Sequence, residues 1–273
     1  MTVSLRQPYK RAGDGVPVAV LLEDREAVRP FLMRDPIRNA TVIHRMFHNP
    51  DFALAFADTL PEPKAVLALA PADGPDEPHQ FALHATDPLA ALHVLKSVPP
   101  GACFFHVADD LAFPALRQVV TVGWWGEAVY YAMDASSFRD LQAHEVRAVE
   151  GKFAGMIAKL WTDDWPAENY VRSRAEGGPS AGVYVDGELV AWNLTHLETD
   201  DVVMMGFLHV LDAHRGKGYA KSVGTALARQ VLAKGKTPCC HVYVDNAPSI
   251  RLTEALGFRR VCVQAWGDGV VRA

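Results

Sequence analysis

Val202-Val203-Met204-Met205-Gly206-Phe207-Leu208-His209-Val210 runs directly into Leu211-Asp212-Ala213-His214-Arg215-Gly216-Lys217-Gly218-Tyr219-Ala220. The first run is apolar and of strand length, and after the second Val223, Leu227 and Val231 recur at helical spacing through Lys234. A strand therefore delivers a glycine-rich turn to a helix N-terminus. Orphan backbone amides and the positive end of the helix dipole converge on such a turn, and Gly216 and Gly218 remove the side chains that would hold an anion away. Arg215 and Lys217 add positive charge. Several amide donors and two cations can share the charges of a pyrophosphate, but any glycine turn before a helix gives part of this signal, and the loop alone fits a simple strand-to-helix connection equally well.

Downstream, Pro238 to Val244 reads as another strand. A short helix from Ile250 to Leu256 follows, with Asn246 as its N-cap, Pro248 in its first turn and Gly257 as its stop. Upstream, the apolar runs Gly182 to Val185 and Leu189 to Leu197 flank Asp186-Gly187, a dipeptide suited to the positive φ values of a tight hairpin turn. Lys152 to Trp161 and Pro166 to Arg174 have helical spacing, and Glu176 to Ser180 reads as a loop.

In the first half, Glu23 to Met33 and Pro36 to His48 read as helices, the second with Asp35 as N-cap and Pro36 at its first position. Ala65 to Leu69 and Gln80 to His84 read as strands. Asp87 caps a helix to about Leu95, Ala102 to Val107 is a strand, Asp109 or Asp110 starts a helix to Val119, and Glu127 to Met133 is a strand. This alternation implies an α/β or α+β layered protein. A length of 273 residues exceeds one ordinary core, and the polar junction Asp134 to Arg139 divides the chain near residue 140, into domains 1–140 and 141–273.

Taken together, the strand with His214-Arg215-Gly216-Lys217-Gly218-Tyr219-Ala220, then Asn246 with Ser249 and Gly257-Phe258, resembles the GNAT superfamily of N-acetyltransferases. Pro179 to Tyr184, the turn Asp186-Gly187-Glu188-Leu189-Val190 and Leu208-His209-Val210 look most like its glycine N-acyltransferase-like branch. The resemblance covers roughly residues 150 to 265. It implies a mixed sheet splayed between Val202–Val210 and Pro238–Val244 and flanked by helices, with a tandem arrangement in which residues 1–140 form a degenerate GNAT-like domain. Acetyl-CoA is the implied cosubstrate: Arg215, Gly216, Lys217, Gly218, Tyr219 and Ala220 hold its pyrophosphate. The strand amides of Leu208, His209 and Val210 bind the pantetheine arm and polarise the thioester carbonyl, and Asn246 and Ser249 contact the coenzyme from the other side.

The implied reaction moves an acetyl or short acyl group to a primary amine, of a small molecule such as an amino acid. A protein amine is the main alternative acceptor. Such a step needs a base, because an alkylamine is mostly protonated at neutral pH. The chain departs from the family pattern where proton transfer is concerned. Thr253 stands where a tyrosine often protonates the leaving thiolate, and Ala213 stands where the branch usually carries an acid. His196 and His209 are the candidate bases among 11 histidines, against the simpler reading of packed or solvent-facing rings. The two departures also admit a non-catalytic acyl-CoA sensor.

Trp124-Trp125, Trp161 and Trp165 read as core or interface residues, or as an aromatic acceptor pocket, and Asn193 and Thr195 put polar groups on one strand face. Arg34, Arg38 and Arg45, with Lys10 and Arg11, form a basic stretch expected to be a solvated face. A composition of 49% hydrophobic and 22% charged residues belongs to a fully folded protein, and a net charge of -5 argues against nucleic acid as a partner. Cys103, Cys239, Cys240 and Cys262 lack metal-ligand spacing and read as reduced core residues, so no metal is expected. Met1 to Arg11 is polar and basic with no apolar stretch behind it, and no run approaches the ~20 apolar residues of a membrane span. The expectation is a soluble cytoplasmic protein, with an oligomer left open. No nucleophile-elbow sequence and no lysine-terminated phosphate loop is present, which excludes the common hydrolase and nucleotide-triphosphatase signatures.

Overall fold

The computed structural model describes residues 19–74, 77–162 and 165–273. The chain forms two compact units, Met1–Glu127 with Val263–Ala273, and Ala128–Cys262. In chain order the first holds β1 (Val20–Leu21), α1 (Arg29–Leu32), α2 (Ala40–Ile43), β2 (Leu54–Ala57), β3 (Ala65–Ala70), β4 (His79–Ala85), α3 (Pro88–Leu95), β5 (Gly101–Val107) and α4 (Phe113–Val119). Strand β6 (Val120–Ala132) takes the chain into the second unit. There follow α5 (Ala154–Trp161), α6 (Glu168–Gly177), β7 (Ala181–Val185), β8 (Glu188–Glu198), β9 (Val202–Val210), α7 (Tyr219–Ala233), β10 (Thr237–Tyr243) and α8 (Ala247–Ala255), and β11 (Arg259–Val271) returns to the first unit. Residue 140, where the sequence reading places the break, lies inside the second unit, because the division falls within a long strand that no loop-like composition marks.

The first unit's sheet runs β1-β2-β3-β4-β5-β11, with β4 and β5 parallel and the other pairs antiparallel. The second unit's sheet runs β7-β8-β9-β10-β6, with β9 and β10 parallel and the other pairs antiparallel. Each unit thus has a meander of antiparallel strands, a helical crossover (α3 or α7) to a parallel strand, and an antiparallel closing strand. Parallel neighbours require such a crossover. The closing strand β11 follows the second unit's last helix, and β6 follows the first unit's last helix, so the sequence-adjacent strand is not the one that completes each sheet.

Alternation builds the layers. On β3, Ala65, Leu67 and Leu69 meet Val94, Leu95 and Leu116 of α3 and α4, while Val66 and Ala68 meet Phe31, Val42 and Met46 on the opposite face. In the second unit, Val223 and Leu227 of α7 pack with Val190 and Met205, and Ile157 and Val171 of α5 and α6 pack with Leu189, Trp192 and Leu194. Among the described residues no helix is long and apolar enough to cross a membrane, and none of the four cysteines is in a disulfide.

The main corrections lie near the start. Asp35 does not cap a helix: its Oδ1 accepts the Arg38 N–H at 3.0 Å in a turn, and α2 begins only at Ala40 behind Asn39. A side chain that captures a local amide competes with helix formation. The expected helix from Glu23 is a 3-10 turn, Arg25–Val28, capped by Asp24 and followed by α1. Arg38 is not a solvated cation but pairs with Asp109 at 2.5 Å, and Arg45 donates to the Phe81 carbonyl at 3.1 Å. Lys10, Arg11 and the rest of Met1 to Arg11 lie outside the described residues.

Candidate active site

β9 and β10 are in register from Val202↔Thr237 to Met205↔Cys240, and there the pairing ends. Beyond it β9 stays with β8, through Gly206↔Leu194, His209↔Trp192 and Val210↔Ala191, while β10 stays with β6, from His241↔Tyr130 to Tyr243↔Ala128. The two central strands part, each held by its outer neighbour. A bulge accompanies the parting: between Trp192 and Leu194 of β8, β9 fits one extra residue, and Phe207 takes a φ of +58°. Such a conformation strains a bulky residue by about 1–3 kcal/mol, and an inserted residue bends its strand and re-aims the backbone. The Phe207 ring, 4.1 Å from that of His196 and 4.6 Å from that of Trp161, anchors the bulge.

Past Val210 a 3-10 turn, Asp212–His214, leads to the glycine loop and α7. Gly216 and Gly218 have φ of +78° and +87°, in the region glycine tolerates best, and Gly218 is the N-cap of α7 with no side chain bonded to the first turn. Among the described residues the backbone N–H groups of Gly216 to Lys221 have no acceptor. A Cβ on Gly216 would meet nothing within 4 Å, so the surface above the loop is open. Arg215 is paired with Asp212 at 2.7 Å, whereas Lys217 has no ion pair among the described residues. The loop is braced from below: the His144 Nε2–H donates to the Lys217 carbonyl at 2.8 Å, and its ring meets that of Tyr219 edge-on at 4.6 Å. Leu141 N–H to Thr225, Ala143 N–H to Ser222 and the Arg229–Asp140 pair tie the same segment along α7.

Beside the bulge is a cavity of about 140 Å³. Ile157, Leu160 and Trp161 of α5 face Trp192 of β8 across it, and the Phe207 to His209 stretch of β9 forms the remaining wall. The half-buried His209 ring stacks on Trp192 at 4.9 Å. Burial lowers its pKa, with the Arg215 charge adding to the effect and Asp212 opposing it. His196 is placed differently. Its ring lies among Trp161, Tyr170 and Phe207, over Gly206, where a Cβ would fall 2.2 Å from the imidazole. Burial lowers its pKa to about 4, Arg174 contributes in the same direction, and His196 does not line the cavity.

The family model described as FR47-like protein matches residues 181–267. An X-ray structure of a Drosophila protein is similar over 93% of this chain and 98% of its own, with TM-score 0.68 and 16% identity. An acetyltransferase of the GNAT family from Colwellia psychrerythraea matches over 93% and 99%, with TM-score 0.56 and 14% identity. A tandem GNAT protein from the clavulanic acid biosynthesis pathway matches over 94% and 98%, with TM-score 0.54 and 14% identity. The chain has the GNAT fold. No curated protein matches its sequence.

Within the GNAT fold the remaining sequence candidates separate. Leu208, His209 and Val210 lie where β9 has left β10; the loop residues Arg215 to Ala220 stand at the N-terminus of α7. Asn246 uses its Oδ1 to accept the Ser249 N–H at 3.2 Å and cap α8. Thr253 is buried, its hydroxyl bonded to the Cys240 sulfur. Thr195 is held by Arg174 through both Oγ1 and the carbonyl at 2.8 Å, a structural role, and Asn193 is buried. Trp125 packs edge-on against Phe113 at 4.8 Å in the first unit's core, but Trp161 and Trp165 are 38% and 46% exposed. Sequence reasoning missed His144, which no spacing connects to residues 217–219. It also missed Phe207, whose left-handed backbone has no signature in a non-glycine residue.

Proposed function

We propose that the second unit transfers an acetyl or short acyl group from CoA to a primary amine of a small molecule. The observation that carries this reading is the parting of β9 from β10 beside an open, amide-lined glycine loop. Arg215, Gly216, Lys217, Gly218, Tyr219 and Ala220 would hold the coenzyme pyrophosphate, with the amides at the head of α7 as donors. The backbone of Leu208 to Val210 would meet the pantetheine arm and the thioester oxygen, and Asn246 and Ser249 would flank the coenzyme at α8. The neutral amine attacks the thioester carbon, a C–N bond forms, and the C–S bond breaks as the thiolate leaves. The amine proton passes to the His209 imidazole, which lies in the cavity wall and whose pKa burial lowers; His196 sits outside that wall. The thiolate takes a proton from water to give free CoA, and the His209 imidazolium gives up its proton to the hydroxide so formed.

The first unit is proposed to be a degenerate copy. At its crossover helix, Asp87 Oδ1 accepts both Leu89 and Ala90 N–H groups at 2.9 Å, so the amides that are open at Gly218 are here filled by the chain's own carboxylate. Its parallel pair also stays in register from His79↔Cys103 to Leu83↔Val107.

One observation favours a second reading, an acyl-CoA-binding sensor: Thr253, turned to Cys240, supplies no acid for a thiolate. The glycine N-acyltransferase-like branch and its amino acid acceptors rest on the sequence motifs alone. The test is release of CoA thiol from acetyl-CoA with a panel of amines, for the wild type, Gly216→Ala and Gly216→Asp. Amine-dependent release that survives Gly216→Ala and is lost in Gly216→Asp supports transfer. Binding of acetyl-CoA without release by any amine supports the sensor.

A further inference from the structure

The cavity beside His209 has a chemical character that says more about the acceptor than the fold does. It is a half-open hollow of about 140 Å³, with room for one aromatic ring and one side left to solvent. Its side chains are aliphatic and aromatic, polar atoms also reach its surface, and none of its residues bears a formal charge apart from the His209 ring when protonated. A carboxylate lodged against these side chains would give up part of its hydration with no cation in return, which is unfavourable. Arg215, the cation that acts on His209, is already paired with Asp212. Trp161, in the wall, stands edge-on to Trp165 at 5.8 Å, and both have large exposed areas. Exposed indole faces attract an alkylammonium approaching from solvent, before it loses its proton.

We propose that the acceptor is an arylalkylamine without a carboxylate, its ring in the cavity between Leu160, Trp161 and Trp192 and its amine at His209. This rests on the acyl-transfer reading and narrows it, since it excludes the amino acids that the branch resemblance suggests.

Phenethylamine and phenylalanine differ by the carboxylate alone and make the decisive pair. With saturating acetyl-CoA, kcat/KM for phenethylamine is expected to exceed that for phenylalanine, glycine and a lysine-containing peptide at least a hundredfold. Trp161→Ala should raise the KM for phenethylamine at least tenfold. Leu160→Arg, at a half-exposed position where the fold tolerates charge, should narrow the phenethylamine-to-phenylalanine ratio at least tenfold by placing a cation in the wall. Preference for an amino acid or the peptide, or an unchanged KM in Trp161→Ala, overturns the proposal and leaves acyl transfer standing. Failure of every amine to release CoA defeats acyl transfer. In that case calorimetry of phenethylamine with the CoA-saturated protein still judges the cavity: binding lost in Trp161→Ala keeps the ligand class, and no binding overturns it.

Discussion

Burial against Trp192 and the Arg215 guanidinium both lower the His209 pKa from the ordinary imidazole value, with Asp212 opposing them. If it takes the amine proton, kcat/KM should rise with pH on an acidic limb whose midpoint lies below 6.5. Arg215→Gln should move that midpoint upward, since a cation that disfavours the imidazolium is removed, and His209→Gln should lower kcat by roughly 10²–10⁴ and abolish the limb. A pH–rate profile of the three proteins checks this. His84 and His196 act on stability instead, through burial that lowers both values to about 4 from 6.5. Above pH 6.5 folded and unfolded chains are both neutral at these positions. As pH falls from 6.5 to 4 the unfolded chain takes up protons that the fold refuses, so stability declines, by at most about 1.4 kcal/mol per pH unit for each group. Urea midpoints at pH 7 and pH 5 should show the decline, with a smaller difference in His84→Gln.

At the scale of elements, the glycine loop before α7 depends on a segment remote in sequence. His144 fixes the Lys217 carbonyl, and His144→Ala removes one hydrogen bond worth about 1 kcal/mol, so the dissociation constant for acetyl-CoA should rise about fivefold without loss of fold. Isothermal titration of that variant measures it. The loop, the hairpin turn and strand β9 were legible in the sequence because each is written in local chemistry. Asp186 and Gly187 take φ of +51° and +85°, as their dipeptide requires, and Val202–Val210 is the apolar run as read. The bulge at Phe207 and the brace at His144 were not legible, because both are imposed by tertiary neighbours. Asp35 misled for a related reason: a capping residue and a turn residue use the same side-chain bond.

For the whole molecule, the closing strands carry a consequence for any attempt to divide the chain. β11 pairs with β5 from Ala265↔Val107 to Val271↔Gly101, and Ala265 and Val271 are buried in the first unit's core. Deleting residues 264–273 should therefore destabilise the first unit, leaving β5 with an open edge, and limited proteolysis should cut within residues 19–127 sooner than in the full chain. The α/β class and the tandem plan were visible in the alternation of elements and in the family motifs. The closing strands were not, because local patterning says nothing of which sheet a strand will join. With the loop at Gly216 as the proposed coenzyme site and Asp87 filling the corresponding helix terminus of the first unit, the account predicts one coenzyme per chain.

Calorimetric titration with acetyl-CoA, wild type beside Gly216→Asp, tests that most directly. The added Cβ falls in open space but at a φ of +78° that side chains rarely adopt, so Gly216→Ala is the control that separates backbone strain from the added charge. The expected result is one site per chain with micromolar-scale affinity, about -8 kcal/mol, absent in the variant. Two sites, or wild-type affinity retained in Gly216→Asp, would contradict the assignment of this loop as the coenzyme site.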